Sequence, residues 1–464
     1  MRTVLVIILI AQIFVVSMIG VKTIYHKTLH KNEHQEMLAS WKARDYIRAS
    51  PESLNAMASY AESTGAGEKI VDVSSLNSYI VISSLGYYSF NINITDYSGD
   101  CGVLINASDV YVDFNGNIID GTEHGYGIVV SNAENVTFVN ATVRDWDYGI
   151  YIQLSREVSI KHVKIQSNYQ AGEIWNSTSV RLSYINASAH SGGLRIYHSP
   201  RIMLENSYFT DSTWSNLVLQ NSSYSRIIGN YFQSWYPKGM SLVGTSHCMI
   251  INNTMAHGGI SVFPYSGIIP SINNTVINNT ANGKPILYLE GKSDMIIDGE
   301  DVAQVILVRC ENITVKNLDI SDMEVGINLH LTNNSIIARN HVNSDWALYL
   351  FDSNNNTIRD NPYLRGWRGI QIHRSSFNKI FNNTIPSSGY GGAFYITWSS
   401  TNNTVYNNTF YNSYYYIVRI LGYPDKDEYP TRNVLKDNKI YGYADYGVAI
   451  EYALHTKILF SEIR

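Results

Sequence analysis

One recurring motif constrains this chain more than any other feature. YGIVV at Tyr126–Val130 returns as YGIYI at Tyr148–Ile152, and NVTF at Asn135–Phe138 returns as EVSI at Glu157–Ile160. The period is about 22 residues, the scale of a stacked repeat. A first strand of this kind recurs to the C-terminus, from GLRIY at Gly193 through ALYLF at Ala347 to VAIEY at Val448. Strands this short, alternating at period two with no helix-length stretch between them, cannot form βαβ units. They stack in parallel, coil upon coil, roughly 4.8 Å apart. The fold class is therefore all-β, a parallel β-helix. Solenoids grow by adding coils, so one body can absorb residues 69–464 without splitting.

A second strand follows each first one, and an Asn recurs at its end. RIIGNYF, MIINNTM, TVINNTA, IIARNHV, NKIFNNTI, NTVYNNTF and VLKDNKI place Asn230, Asn253, Asn279, Asn340, Asn383, Asn408 and Asn438 at one position. Stacked in register, their amides form an internal ladder bonding coil to coil. Earlier coils carry Ala141, Val163, Ile185 and Ser207 there. In each NNT the first Asn points outward and the second inward.

Residues 1–24 read as a targeting segment. Val4 to Val21 is apolar apart from Gln12 and Ser17, just long enough to span a bilayer, and without an A-x-A-like site it reads as an uncleaved signal anchor more than a signal peptide. Lys22, Lys27 and Lys31 follow it while Arg2 alone precedes it, which on the positive-inside tendency argues for the opposite orientation. Residues 25–68 read as a helical stalk, its second helix capped by Ser50 with Pro51 in the first turn. About sixteen N-x-S/T sites, among them Asn93, Asn135, Asn176, Asn252, Asn382 and Asn407, are glycosylation acceptors on a translocated chain. Together these features point to a cell-surface protein, membrane-anchored or, if the signal is cleaved, secreted. A net charge of −5 without Lys/Arg clusters excludes a nucleic-acid footprint. Cys101, Cys248 and Cys310 are too few for a disulfide framework and lack zinc spacing.

The repeats resemble the NosD-like group of right-handed parallel β-helix proteins, carbohydrate-binding and sugar-hydrolysing solenoids of pectate-lyase-like architecture. IVISSLGYYSF, CGVLINASDVYVDFNGNIIDG and the YGI coils resemble the entry region of archaeal surface and periplasmic members. The resemblance implies the fold from Lys69 to Arg464 and an external glycan-related role. It implies no single activity, because this fold hosts many. NosD itself implies copper, but only His330 and His373 share a strand face, roughly 10 Å apart over two coils. No metal site follows.

Residues between the inward apolar pair of each first strand face outward and form a long sheet face for polysaccharide. Tyr151, Arg195, Tyr288, Arg309, Tyr349, Phe351, His373, Tyr395 and Arg419 lie on it, with Trp367 at its edge. Aromatic rings stack on sugars and Arg forks bind carboxylates, so a neutral or acidic glycan suits this face. Trp146, Trp214, Trp235, Trp346 and Trp367 each precede a first strand by one to four residues, placing them near one edge. Asp120 and Glu123 lie one coil before Asp145 and Asp147, which would serve a polysaccharide lyase, with Ca²⁺ as its cation, or a glycoside hydrolase. IDG and RDWDYG are also ordinary turn sequences. The expectation is a carbohydrate-binding or adhesin-like surface protein. A lyase or hydrolase is the second reading and a structural spike the third. Self-association through the stalk or the C-terminal end is also open.

Overall fold

The computed structural model describes Glu68–Val71 and residues 79–464 apart from positions 388, 390, 412, 460, 461 and 464. The expected anchor and almost all of the stalk lie outside the described residues. Among the described residues no helix is long and apolar enough to cross a membrane. The chain winds into three-sided coils whose strands pair in parallel with the same strand one coil on. In the first sheet Tyr126 lies opposite Tyr148, Ile128 opposite Ile150 and Val130 opposite Ile152. In the second, Val136 meets Val158 and Phe138 meets Ile160. The inward residues of both rows are at most 2% exposed, because the period-two alternation sends every second side chain into the column. Two longer strands, Lys164–Trp175 and Asn186–Tyr197, run through a corner from the third sheet into the next coil's first sheet.

Buried polar ladders run up the corners. Asn230 donates to Asn253 at 3.0 Å and Asn253 to Asn279 at 2.9 Å. Further on, Asn340, Asn361, Asn383, Asn408 and Asn438 hand on the same bond at 2.8–3.2 Å. Asn361, within RDNPYL, is a member the Asn pattern left out. A second ladder at another corner uses hydroxyls: the backbone N–H groups of Ser155, Ser177, Ser199, Ser222 and Thr245 each donate to a Ser or Thr one coil on. Asn356, Asn378, Asn403 and Asn433 form a third. All three cysteines are free and buried. Cys248 and Cys310 occupy ladder places, Cys248 Sγ accepting from the Ser225 amide at 3.3 Å and the Cys310 amide donating to Thr332 Oγ1 at 3.2 Å.

The expected single column is divided in two. The first-sheet strand Ile260–Phe263 has no strand partner above it. The chain instead turns back at Asn282–Gly283, so that Thr280–Ala281 pairs antiparallel with Lys284–Pro285. Both turn residues have positive φ, 49° and 78°, the conformation of a tight hairpin that Asn-Gly favours. A new column then stacks from Lys284–Glu290 to Tyr446–Glu451. Outward side chains of its first sheet close the open end of the earlier column. Gln304 accepts from the Ile260 amide at 3.0 Å and donates to the Ile260 carbonyl at 2.8 Å. Asn328 donates to the Val262 carbonyl at 3.0 Å, and His330 Nε2 accepts from the Ser271 amide at 3.2 Å. A free strand edge is a row of unpaired backbone groups, and these side chains satisfy it.

Candidate functional site on the second column

This capping changes where the sheet face is open. Tyr349, Phe351, His373 and Tyr395 are 2%, 0%, 8% and 7% exposed, so the expectation of a solvated binding face fails over its centre. Phe263, from the end of the first column, lies edge-on to Trp346 and Tyr349 at 5.3 and 5.6 Å, and His373 stacks on Trp398 at 4.9 Å. His330 is fully buried rather than exposed. On the first column Tyr151 is also buried, its ring 4.9 Å from Tyr126 and 6.2 Å from Tyr148. Arg195 is half-buried. Tyr288 donates to Glu290 at 2.8 Å and Arg309 bridges Glu290 at 2.9 Å, while Glu290 also accepts from the Asn273 and Asn274 amides. These three therefore fasten the two columns together.

What stays accessible lies beside the covered centre. Arg368 stands over Trp346 at 4.8 Å and Tyr395 at 5.7 Å, and donates to Gln371 at 3.1 Å. Arg419 stands over Tyr416 at 4.6 Å and makes two 3.0 Å bonds to Glu451. The loop Tyr423–Arg432, legible as a charged Pro-containing interruption, forms a 3₁₀ turn at Pro424–Lys426. It lays Tyr423 against Trp398 at 4.9 Å, with Lys426 over the same indole at 4.4 Å. Burial lowers the Arg368 pKa, partly opposed by Tyr395, Tyr423 and Tyr349, with Arg419 adding to the depression.

The tryptophans of the expected edge divide by burial. Trp214, Trp235 and Trp367 are 54%, 69% and 43% exposed, Trp214 carrying Lys238 at 4.7 Å. Trp146 instead fills the core, its indole N–H donating to the Ile119 carbonyl at 3.1 Å. Six expected glycan acceptors, Asn93, Asn135, Asn176, Asn252, Asn382 and Asn407, are exposed, and in each NNT among them the second Asn is buried.

The carboxylates divide as well. Asp120 is buried and pairs with Arg144 at 2.8 Å. Asp145 lies close to the Asp120 carboxylate, and desolvation followed by that neighbour raises its pKa. The Glu123 amide donates to the Asp145 carbonyl at 2.7 Å, and the Glu123 charge adds to that rise. Asp147 is turned away, accepting the Gly125 amide at 2.9 Å. Two acids escaped the sequence reading. Glu173, on the AGEIW strand one coil after YGIYI, is pushed up to about 7 by burial, against the pull of Arg195. Glu324 sits where the columns meet, receiving a 3.4 Å contact from Ser241 Oγ. The AGEIW spacing was visible, whereas nothing local marks Glu324.

The family described as periplasmic copper-binding protein (NosD) matches residues 270–419, and the right handed beta helix region matches residues 101–255 and 148–302. No curated protein matches the chain. Similar solved structures include the A-module of mannuronan C-5 epimerase AlgE6 from Azotobacter vinelandii, at 12% identity, covering 88% of this chain and 96% of that one with a TM-score of 0.29. DFA-IIIase from Arthrobacter chlorophenolicus A6 is 10% identical over 69% of this chain and 93% of its own, with a TM-score of 0.38. Alginate lyase from Paenibacillus sp. str. FPU-7 is 11% identical over 82% and 99%, with a TM-score of 0.28. The described residues do not fit copper. Among the described residues no three His, Cys, Asp or Glu side chains converge, and the ring nitrogen of His330 that could bind a metal is held by the Ser271 amide.

Proposed function

We propose that this NosD-like right-handed parallel β-helix repeat protein binds carbohydrate outside the cell, tethered through its N-terminal segment. The exposed indoles of Trp214, Trp235 and Trp367 carry this reading, since broad apolar rings left in water serve sugar faces better than they serve the fold. The polar forks of Arg368, Gln371 and Arg419 beside Trp346 and Tyr395 supply hydrogen-bond donors next to ring faces. The periplasmic description of the matched NosD family supports an external location.

The test is retention of the full chain on an immobilised panel of neutral and acidic polysaccharides. Replacing Trp214, Trp235 and Trp367 together by Ala is expected to weaken retention at least about tenfold, some 1.4 kcal/mol, with an unchanged unfolding midpoint. Undiminished retention by the triple variant, or no retention by the parent, would sink the proposal and leave the structural spike. A second reading, cleavage of the bound chain, is favoured by the Asp120–Asp145 pair, since a carboxyl whose pKa is raised by burial and a neighbouring acid is better suited to general-acid work. New reducing or unsaturated ends that vanish in Asp145→Asn are its expected signature. Products that persist in that variant would move the chemistry elsewhere.

A further inference from the structure

Four arginines project from the first-sheet side of the second column, and three have a carboxylate. Arg309 pairs with Glu290 at 2.9 Å. Arg374 pairs with Asp352 at 3.1 Å and Glu428 at 3.4 Å. Arg419 pairs with Glu451 at 3.0 Å. Arg368 has none among the described residues. Among the described residues its one side-chain hydrogen bond goes to the neutral Gln371 amide oxygen, leaving most of its five donors uncommitted there. Among the described residues none of those nitrogens is a sealed, unsatisfied interior atom, and the side chain as a whole is half-buried. The rings of Trp346 and Tyr395 fix the plane of the guanidinium, and the aromatic surroundings withhold water from it.

A half-buried cation held flat, oriented and without a counter-ion is suited to an anion that arrives from outside, and its planar fork matches an oxyanion with two oxygens in one plane. Resting on the glycan-binding reading, we propose that Arg368 selects sugars carrying an anionic group, a carboxylate or a sulfate ester, the acid seated on the guanidinium and the sugar ring against the half-buried Trp346. Gln371 keeps the fork from rotating. The Arg419–Glu451 pair is already neutral and takes no part in charge recognition.

The probe is a galacturonate oligomer, set against the same oligomer with its carboxyls methyl-esterified and against a sulfated galactose oligomer of equal length. Titrated into the full chain, the acid form is expected to bind at least tenfold more tightly than the ester, with the preference shrinking as sodium chloride is raised. Arg368→Gln should abolish the preference, bringing acid and ester binding to the same affinity. Arg368→Lys, which keeps the charge but loses the fork, should retain only part of it. The sulfated oligomer separates the two anion classes, and tighter binding of either acid form than of the ester counts for the proposal. Equal binding of all three oligomers, or a preference that survives in Arg368→Gln, would overturn it. Retention of neutral polysaccharide with no charge preference removes this inference alone, whereas no retention of any polysaccharide removes the glycan reading with it. Unfolding midpoints of both variants guard against a misfolded Gln variant, and Arg368→Lys still reads the fork if that variant fails to fold.

Discussion

Taking the folded protein from pH 7 to pH 4.5 is expected to cost about 5 kcal/mol of stability through two histidines alone, His330 and His373. Both are pushed down to about 3, by burial first and, for His373, also by Arg374, Lys426 and His330. An unfolded histidine takes up its proton near pH 6.5, whereas these stay neutral in the fold until about pH 3. Between those limits the unfolded chain binds more protons, so stability is full above pH 6.5 and falls as the pH drops, by about 1.4 kcal/mol per unit for each group. The structural reason is clear at His330. Its Nε2 accepts the Ser271 amide, and protonation would set one N–H against another at the seam between the columns. Glu173 acts with the opposite sign. Raised to about 7, it favours the fold below the ordinary glutamate range and loses that contribution as the pH rises through 7, so the parent's net slope is shallower than the histidine part. The comparison that isolates the histidines is His330→Gln with His373→Gln, the first keeping an acceptor for Ser271. Denaturant unfolding at pH 7, 6, 5 and 4.5 should show the double variant losing far less stability on acidification than the parent. Parallel pH profiles would rule the mechanism out.

How much of this was legible from sequence follows from the range of the forces involved. The coil and its Asn ladder are local and repeated. An apolar residue three places before an Asn and another two places after it specify which way each side chain points, and the structure places Asn230, Asn253, Asn279, Asn340, Asn383, Asn408 and Asn438 as that pattern requires. Asn361 was lost because Pro362 adds a residue after it, moving the buried apolar partner, Leu364, to three places on instead of two. The division into two columns depended on one turn. Asn282–Gly283 is a strong hairpin signal, but Asn115–Gly116 carries the same dipeptide, with positive φ at both residues, within a continuous column, so the signal alone did not mark the break. Burial of the second sheet face followed from that turn and could have been inferred. In QVILV, Gln304–Val308, apolar residues stand at outward as well as inward places, and Ile306 and Val308 are fully buried; a strand apolar on both faces is covered on both. Tyr349, Phe351 and His373 keep a plain alternation, and an aromatic facing outward reads the same whether water or another coil lies beyond it. Pairings such as Glu324 with Ser241 join residues 83 positions apart, a distance over which no local pattern carries information.

Neighbouring asparagines at the C-terminal ladder offer the sharpest contrast in the molecule. Asn383 is 2% exposed and its side chain takes part in five bonds. The amide and side chain of Asn361 donate to its oxygen at 3.1 and 2.8 Å, and it donates to the Ile358 and Phe381 carbonyls at 3.0 and 2.9 Å and to Asn408 at 2.9 Å. Asn383→Ala removes all five and leaves those partners in a space sealed from water. Since each buried group left unpaired costs about 1–3 kcal/mol and some relaxation is available, a total loss of about 3–5 kcal/mol is expected. Asn382, one residue earlier, is exposed, has φ 56° and makes a single surface bond to Asp360 at 3.1 Å. Asn382→Gly keeps that backbone conformation at little steric cost and should stay within about 0.5 kcal/mol of the parent. Stability in a solenoid is approximately a sum over coils and their interfaces, so the Asn383 variant should open locally first. Hydrogen exchange would show this as lost protection in the strands Thr357–Arg359, Lys379–Phe381 and Thr404–Tyr406, which are stacked on one another, while Tyr126–Ser131 in the first column keeps its protection. Equal effects from the two substitutions would mean that the ladder adds nothing beyond an ordinary polar contact. A uniform loss across both columns would mean that the seam at Gln304, Asn328 and His330 couples them into one cooperative unit.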